Sequence, residues 1–269
     1  MRRFVVLVAL VALCGVLKAQ TVERIVSLVP SLTDNIYLIS GQEKLVGCTS
    51  YCLPAIEDGV QQVGSAVNAN TEVIVSLKPD LVLASKLTKP QDIASLEKLG
   101  VKIELFDTPR SFNDICNQTL KLARLLKCET KAEKVVASAK HRVAEIREKS
   151  RNRPSSKVFI QIGATPIFTV IENTFLNDYI AFCNAENIAK DLTAGTISRE
   201  AVVARNPDVI VIAEMGGFGQ HEKEVWLKYP AISAVENKRV FLISSDTSCN
   251  PSPANFVSAL EDIYKYIYE

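Results

Sequence analysis

Short apolar runs alternate along the chain with longer segments in which apolar residues recur at helical spacing. Runs this short are typical of the buried strands of a parallel sheet. The sequence predicts such strands at residues 24–28, 81–84, 101–105, 157–162, 209–213 and 239–243. Helices are predicted at residues 91–99 and 112–127, and from a Ser31 cap with Asp34 three residues later. Strand and helix in alternation indicate an α/β fold.

A long helix divides this pattern into two halves. Thr130 and Glu133 have the spacing of a capping box, and apolar residues recur at helical spacing from there to about Ser150. A basic segment with proline and serine follows, and the strand–helix pattern then begins again. We therefore predict two Rossmann-like α/β lobes, at residues 20–128 and 154–269, joined by one long helix at residues 129–153.

The two halves share a local pattern. Glu72 begins a helical segment that a Pro-Asp pair ends at residues 79–80, and Glu200 begins one that a Pro-Asp pair ends at residues 207–208. Proline ends helices, and a glutamate in the first turn interacts favourably with the helix dipole by some tenths of a kcal/mol. Neither effect explains two copies 128 residues apart, which indicate pseudo-symmetric lobes. The expected helix caps are Thr71 and Ser198.

The first residues have the layout of a secretory signal peptide. Two arginines precede an uncharged apolar run at residues 4–13, and small Ala19 stands at the expected cleavage position. The run has about half the length that a membrane-spanning helix needs. Lipoprotein anchoring through Cys14 is the less favoured alternative, because Leu13 stands where a small residue is expected. We expect residues 1–19 to be removed and the protein to be exported to the periplasm.

Charge and histidine content exclude several classes of function. The whole chain has a formal net charge of +1, and removal of residues 1–19 leaves 28 basic against 30 acidic side chains. A nucleic-acid partner is therefore not expected. The two histidines cannot build a site of three imidazoles, so we predict no metal site of that kind. The sequence contains no serine-nucleophile elbow and no phosphate-binding glycine loop, and we expect a protein that is not an enzyme.

Six cysteines remain after the expected cleavage. Their even number permits disulfides in an oxidising compartment, but the spacing alone does not give a pairing. Buried free thiols are the expected state of most of them, and the pairing of several stays open. The six are Cys48, Cys52, Cys116, Cys128, Cys183 and Cys249.

Several ordered motifs resemble a known family. They are Arg24–Ser31 with Asp34, Leu45–Gly47, Leu77–Val82, Asn187–Ile188, Ser198–Glu200 and Asn206–Asp208. With the two lobes and the signal peptide, this set is similar to the periplasmic solute-binding proteins that supply ABC importers of cobalamin, haem and ferric siderophores. Within that class it is most similar to the cobalamin-binding members. The resemblance implies a rigid clamp with a ligand cleft between the lobes, which holds a corrinoid, haem or ferric chelate and no intrinsic cofactor.

The resemblance also implies a partner. In this class an acidic side chain on each lobe docks on arginines of a two-subunit membrane permease, and the matching positions are Glu72 and Glu200. These are the two residues that the internal repeat singles out. Carboxylate–arginine pairs on separate lobes give orientation and register to such a contact. We expect the binding protein itself to be a monomer.

The ligand-side positions that match the family are fewer. They are Tyr51, Ala66, Phe168 and Asp246, which combine aromatic faces with a polar group as a flat macrocycle requires. Ala66 stands where the cobalamin-binding members have a tryptophan, and Trp226 lies outside the corresponding loops. This departure weakens the corrinoid assignment without affecting the fold.

Three alternatives stay open. A haem carrier would use an axial ligand such as Tyr51 or His221. A ferric-siderophore carrier would prefer arginines such as Arg110 and Arg199 in its cleft. Arg199, however, is the neighbour of Glu200 and is expected to face the permease. A surface or sensor protein of the same fold would bind a ligand without a transporter.

Overall fold

The computed structural model describes residues 22–65 and 67–269. The predicted signal peptide with its cleavage position and Cys14 lies outside these residues, and so does Ala66. Within the described ranges, no helix is both long enough and apolar enough to cross a membrane.

The first half of the chain is an α/β unit, which we call the N-terminal lobe. In chain order its elements are β1 (Ile25–Ser27), α1 (Pro30–Leu38), β2 (Leu45–Cys48), α2 (Leu53–Glu57), β3 (Gln61–Gln62), β4 (Gly64–Ser65), β5 (Asn68–Ala69), α3 (Thr71–Ser76), β6 (Leu81–Ser85), α4 (Pro90–Lys98), β7 (Ile103–Phe106) and α5 (Phe112–Leu126). The sheet is parallel with the order β3–β2–β1–β6–β7, and β4 and β5 form a separate antiparallel hairpin. The central strands β1 and β6 are buried on both faces, which explains their nearly continuous apolar sequences.

The second half repeats this arrangement as the C-terminal lobe. It follows the long helix α6 (Glu129–Ser150) and contains β8 (Lys157–Ala164), β9 (Ile167–Thr169), α7 (Phe175–Phe182), β10 (Glu186–Asn187), α8 (Arg199–Arg205), β11 (Val209–Glu214), α9 (Phe218–Trp226), α10 (Ser233–Glu236), β12 (Val240–Ser244), α11 (Ser245–Ser248) and α12 (Pro253–Tyr268). Its parallel order is β10–β8–β11–β12, and β9 pairs with β8 in the antiparallel direction. The α/β fold predicted from the alternating pattern is confirmed.

The repeated Pro-Asp pair has the same structural role in both lobes. The carboxylate of Asp80 accepts hydrogen bonds from the backbone amides of Glu23 and Arg24, both at 2.9 Å. The carboxylate of Asp208 accepts from the backbone amide of Lys157 at 2.8 Å. Each aspartate thus stands before the second central strand of its sheet and binds the start of the first. This pairing gives the repeat a cause beyond helix termination.

Two helices hold the lobes together. The first half of α5 packs in the C-terminal core through Phe112, Ile115 and Cys116, and its second half packs in the N-terminal core through Leu122 and Leu126. Most of the buried face of α6 also belongs to the C-terminal core. The domain bounds predicted from the sequence stay a prediction, because α5 contributes to the cores of both lobes.

Two predicted helix starts are wrong. Helix α1 begins at Pro30 after Val29, so Ser31 lies inside the first turn and makes no capping bond. Proline has no N–H to satisfy at that position, and the helix can begin without a side-chain cap. Helix α6 begins at Glu129, which places Thr130 inside its first turn as well.

The two helices of the internal repeat have side-chain caps, but only one is the predicted residue. Asn70 caps α3 by accepting from the backbone amide of Val73 at 3.1 Å, so Thr71 is the first helical residue and not the cap. Ser198 caps α8 as predicted, accepting from the backbone amide of Ala201 at 3.2 Å.

Candidate functional site

The candidate site lies where the carboxyl ends of the two parallel sheets meet. Its walls are the loops after β1, β2, β6, β7, β11 and β12. Ligands of open α/β sheets bind at this edge because the loops there are free of the sheet hydrogen bonds and can carry varied side chains. Here two such edges face each other across one cavity of about 380 Å³, which we call the interlobe cavity.

Apolar side chains dominate the walls of the interlobe cavity. Those of the N-terminal lobe include Val29, Pro30, Tyr51, Leu53, Leu87 and Pro109, and those of the C-terminal lobe include Phe175, Met215 and Pro251. Tyr51, Leu87 and Met215 are 69%, 74% and 67% exposed, although they are large and apolar in character. An exposed apolar patch of this kind marks a binding surface. Burial of the patch by a ligand is favourable because it removes apolar surface from water.

The base of the cavity joins the lobes through polar groups. The side-chain amide of Asn250 donates to Asp34, and the side-chain amide of Asn35 donates to the backbone carbonyl of Pro251 at 3.1 Å. Burial, together with negative charge at Cys52 and Asp246, raises the pKa of Asp34 to about 6. These contacts tie α1 to the segment after α11 and make the base of the cleft a fixed part of the clamp.

Two of the predicted ligand residues meet at this cavity. Tyr51 projects from the loop between β2 and α2, and Asp246 lies in α11 on the opposite lobe. Phe168 does not line the interlobe cavity: it lies on β9, and its ring packs closely over Gly163. Ala66 is outside the described residues. The ligand-binding role of all four stays a prediction.

The predicted docking residues occupy equivalent positions. Glu72 and Glu200 are both exposed and lie in the first turns of α3 and α8, the helices that lead into β6 and β11. A helix that leads into a parallel strand runs opposite to it, so its N-terminus lies at the carboxyl edge of the sheet. Both carboxylates therefore lie toward the edge that forms the cavity. The backbone amide of Glu200 and the Ser198 hydroxyl hold the pKa of this carboxyl below its usual value.

Arg199 does not face outward as expected from its position beside Glu200. Its guanidinium donates to Glu222 at 2.8 Å, and the same carboxylate oxygen accepts from the amide of Gln161 at 2.8 Å. The indole N–H of Trp226 completes the network by donating to Gln161 at 2.7 Å. Burial would raise the pKa of Glu222, but the bonds from Arg199 and Gln161 outweigh it and lower the pKa. No local sequence pattern indicates this network, because its members are far apart in the chain.

Metal-binding groups are sparse in the part of the chain that the structure describes. No cluster of three or more His, Cys, Asp or Glu side chains that could hold an ion occurs there. In the interlobe cavity, the Tyr51 hydroxyl and the Met215 thioether are groups that can ligate a haem iron. A neighbouring cavity of about 640 Å³ shares Phe106 and Asp107 with the first and contains Lys86, Arg110, Lys121 and Arg124.

Comparison with known proteins identifies the family. The family model described as periplasmic binding protein matches residues 25–247, which include both sheets and most of the loops of the interlobe cavity. The chain belongs to the periplasmic binding protein family. The fold and the family resemblance predicted from the sequence motifs are confirmed.

The names of individual relatives of this periplasmic binding protein refer to different ligands. The chain is 30% identical over 256 residues to the ABC transporter substrate-binding lipoprotein YvrC of Bacillus subtilis, covering 91% of this chain and 80% of that protein. It is 30% identical over 215 residues to the vitamin B12-binding protein of Yersinia pestis, covering 78% and 76%. Among solved structures, the vitamin B12-binding protein BtuF of Vibrio cholerae is 25% identical with a TM-score of 0.78 over 92% of this chain and 97% of that one. A possible iron-binding protein from Staphylococcus epidermidis is 27% identical with a TM-score of 0.81 over 93% and 100%.

Proposed function

We propose that this periplasmic binding protein is the substrate-binding component of an ABC importer and that it captures a cobalamin-like corrinoid. The observation that carries the proposal is the interlobe cavity, whose exposed apolar side chains stand on two opposed sheet edges. A flat macrocycle presents two broad faces, and two apolar walls bury both at once. The relatives named for vitamin B12 and for ABC transport support the same assignment.

The charge of the cavity favours a corrinoid over an anionic chelate. Among the described residues that line the interlobe cavity there is no arginine and no lysine. Asp246 contributes a carboxylate, and the carboxylate of Asp107 is paired with Lys86 of the neighbouring cavity at 2.6 Å. A ferric siderophore or a haem with free propionates brings negative charge, which needs basic partners when it is desolvated. A corrinoid carries neutral amide side chains instead, and these are matched by aspartate, asparagine and serine.

The partner in this proposal is a two-subunit membrane permease. Glu72 and Glu200 stand at equivalent places on the two lobes, so that one face of the clamp offers two carboxylates to arginines of the permease. The binding protein acts as a monomer in this arrangement and is not an enzyme. We also propose that it is exported, with a signal peptide removed after Ala19, in line with relatives that are periplasmic or lipoprotein. An intact mass that begins at Gln20 supports this, and a lipid on Cys14 contradicts it.

Titration calorimetry with dicyanocobinamide and cyanocobalamin tests the ligand class. We expect saturable binding at one site, with a dissociation constant of about 1 μM or below. No heat from either corrinoid, together with binding of another chelate, would overturn the assignment. Native mass spectrometry of protein isolated from its source identifies the ligand independently. A bound corrinoid without any associated permease would favour the surface or sensor protein.

Haem is the second candidate, because Tyr51 and Met215 offer two groups that can ligate iron from opposite lobes. Titration with haemin separates the two candidates. A sharp Soret band that is lost in Tyr51→Phe would favour haem. A spectrum of free haemin in the presence of the protein would leave the corrinoid as the ligand.

A further inference from the structure

A tight turn beside the interlobe cavity contains two cysteines. Cys48 is the last residue of β2, and Cys52 is the residue before α2. The backbone amide of Cys52 donates to the carbonyl of Thr49 at 3.0 Å, which folds the chain back so that both cysteines lie under the turn. The outer side of the same turn presents Tyr51 to the cavity. The two cysteines therefore flank, within three residues along the chain, a side chain that lines the cavity.

The two thiols lie in the N-terminal core, and polar side chains surround that of Cys52. Both side chains are fully buried in the same core cluster of the N-terminal lobe. The Thr33 hydroxyl donates to the Cys52 sulfur at 3.1 Å, and the Thr49 hydroxyl lies 3.2 Å from it. The thiol of Cys48 and the two hydroxyls lower the pKa of Cys52 against the opposing effect of burial. Cys52 and burial raise the pKa of Cys48.

Other buried cysteines of the chain have a different environment. Burial raises the pKa of Cys116 to about 11 and that of Cys183 to about 12. A thiol with a raised pKa exchanges slowly, because the thiolate is the attacking species. The turn places two buried thiols only four residues apart in the chain and in one core cluster.

We propose that Cys48 and Cys52 form a disulfide bond that closes the turn carrying Tyr51. The Cys52 thiolate attacks one sulfur of an external disulfide, such as oxidised glutathione or a thiol–disulfide oxidoreductase, and displaces the other sulfur as a thiolate. Cys48 then loses its proton and attacks the Cys52 sulfur of the mixed disulfide, which releases the second external thiol. The two cysteines lose two electrons and two protons, and one external disulfide is reduced to two thiols.

The position of the pair defines when the reaction occurs and what it does. Because both sulfurs are buried in the folded protein, the external disulfide reaches Cys52 before the turn packs, during folding in an oxidising compartment. The bond restricts the backbone that carries Tyr51 and Leu53, two side chains of the cavity wall. The disulfide is a covalent cross-link that stabilises the binding surface, and its formation does not depend on the identity of the ligand.

Refolding with a glutathione redox buffer, followed by peptide mapping, tests the bond. Protein denatured and reduced in guanidinium is refolded with oxidised and reduced glutathione, and the remaining thiols are alkylated. No lysine or arginine lies between Leu45 and Lys78, so trypsin leaves both cysteines in one peptide, which is expected to be unalkylated and lighter by two hydrogen atoms than its reduced form. Chymotrypsin then cleaves after Tyr51 and gives two peptides joined only through sulfur. Cys116 and Cys183 are expected to remain alkylatable.

The Cys48→Ser variant tests the order of steps. It lacks the resolving thiol, and we expect Cys52 to keep glutathione as a mixed disulfide. If this variant does not fold, the peptide map of the wild-type protein still decides whether the disulfide forms. Alkylation of both Cys48 and Cys52 after oxidative refolding, or a bond from either one to another cysteine, overturns the proposal. None of these outcomes depends on corrinoid binding, so the proposed function is tested separately.

Discussion

The guanidinium of Arg199 stacks on the indole of Trp226, with 4.3 Å between its central carbon and the ring centre. Trp226 is fully buried, and the neighbouring Glu222 balances the charge of the arginine. The contact anchors the first residue of α8 in the C-terminal core. The next residue, Glu200, is thereby held at the surface in a defined direction, which links the interior of the lobe to its proposed docking face.

Removing one member of this buried ion pair should lower the free energy of unfolding more than removing both members. Arg199→Met leaves the carboxylate of Glu222 buried with its cationic partner gone, and we expect the free energy of unfolding to fall by about 3 kcal/mol. In the double variant Arg199→Met, Glu222→Gln no buried charge remains, and we expect at least half of the loss to be recovered. Urea denaturation measures both changes.

An exposed pair provides the control for this cycle. Lys190 and Glu186 form an ion pair at 3.0 Å in which both side chains are largely exposed. Lys190→Met should leave the free energy of unfolding close to that of wild type, because solvent screens an exposed ion pair. A double variant that is as unstable as the sum of its single variants would contradict the coupling between Arg199 and Glu222.

The base of the cleft should make stability depend on pH. The pKa of Asp34 is about 6 in the folded protein against an ordinary value of 3.8, so the folded state holds this proton more tightly. The stabilisation is complete below pH 3.8 and is lost as pH rises through about 6. Asp34→Asn removes this dependence. Relative to wild type it should gain stability between pH 4.5 and pH 7, by on the order of 1–3 kcal/mol given partial exposure of the group.

Thermal or urea unfolding at the two pH values gives the difference directly. Asp246→Asn offers a graded comparison, because Asp246 is one of the charges that raise the pKa of Asp34. Its variant should show a smaller loss of stability with rising pH than wild type shows. A constant difference between Asp34→Asn and wild type at both pH values would contradict the assignment.

The sequence predicts most of the fold because the central strands are buried on both faces. Such strands must be almost continuously apolar, and β1, β6 and β11 could therefore be located from their runs alone. The edge strand β3 is a pair of exposed glutamines held by backbone bonds to β2, and nothing in its side chains signals a strand. The repeated Pro-Asp pair predicted two lobes. The role of its aspartate depends on strands that meet only after folding.

The candidate site was less predictable for the same reason. Tyr51 and Asp246 were assigned by family resemblance, and only the structure brings them to one cavity from opposite lobes. Met215 and Leu87 carry no motif, and their exposure depends on where β11 and β6 end. The prediction that Arg199 faces the permease is wrong, because it rests on the exposure of its sequence neighbour Glu200. The residues that turn it inward, Glu222 and Trp226, belong to a different helix.

The apolar rim of the cavity should contribute directly to ligand affinity. Leu87 is 74% exposed without ligand, and Leu87→Ala should leave the free energy of unfolding within about 0.5 kcal/mol of wild type. Contact with a macrocycle would bury this side chain, so its truncation should weaken corrinoid binding by about tenfold. Titration calorimetry with cyanocobalamin measures the change.

Leu99→Ala is the matched control, since Leu99 is an exposed leucine that does not line the interlobe cavity. We expect its affinity for cyanocobalamin to equal that of wild type. Equal losses in the two variants would mean that the cavity rim does not contact the ligand.

Reversal of charge at the two equivalent glutamates should uncouple the protein from its permease. Each exposed carboxylate would lose a charge-assisted bond to arginine, and Glu72→Lys or Glu200→Lys should weaken binding to the cognate permease in nanodiscs by about tenfold or more. The double variant should abolish measurable binding, and raising the salt concentration should weaken the wild-type complex as well.

Glu129→Lys separates docking from a general effect of charge or helix stability. Glu129 is also an exposed glutamate in the first turn of a helix, so its reversal has the same local cost at the helix dipole. We expect this variant to bind the permease as wild type does, and all variants to keep the ligand affinity of wild type, because none of the three residues lines the interlobe cavity. Permease binding that survives reversal of both Glu72 and Glu200, or falls equally in Glu129→Lys, would show that the internal repeat does not form the docking surface and that its glutamates serve only their own helices.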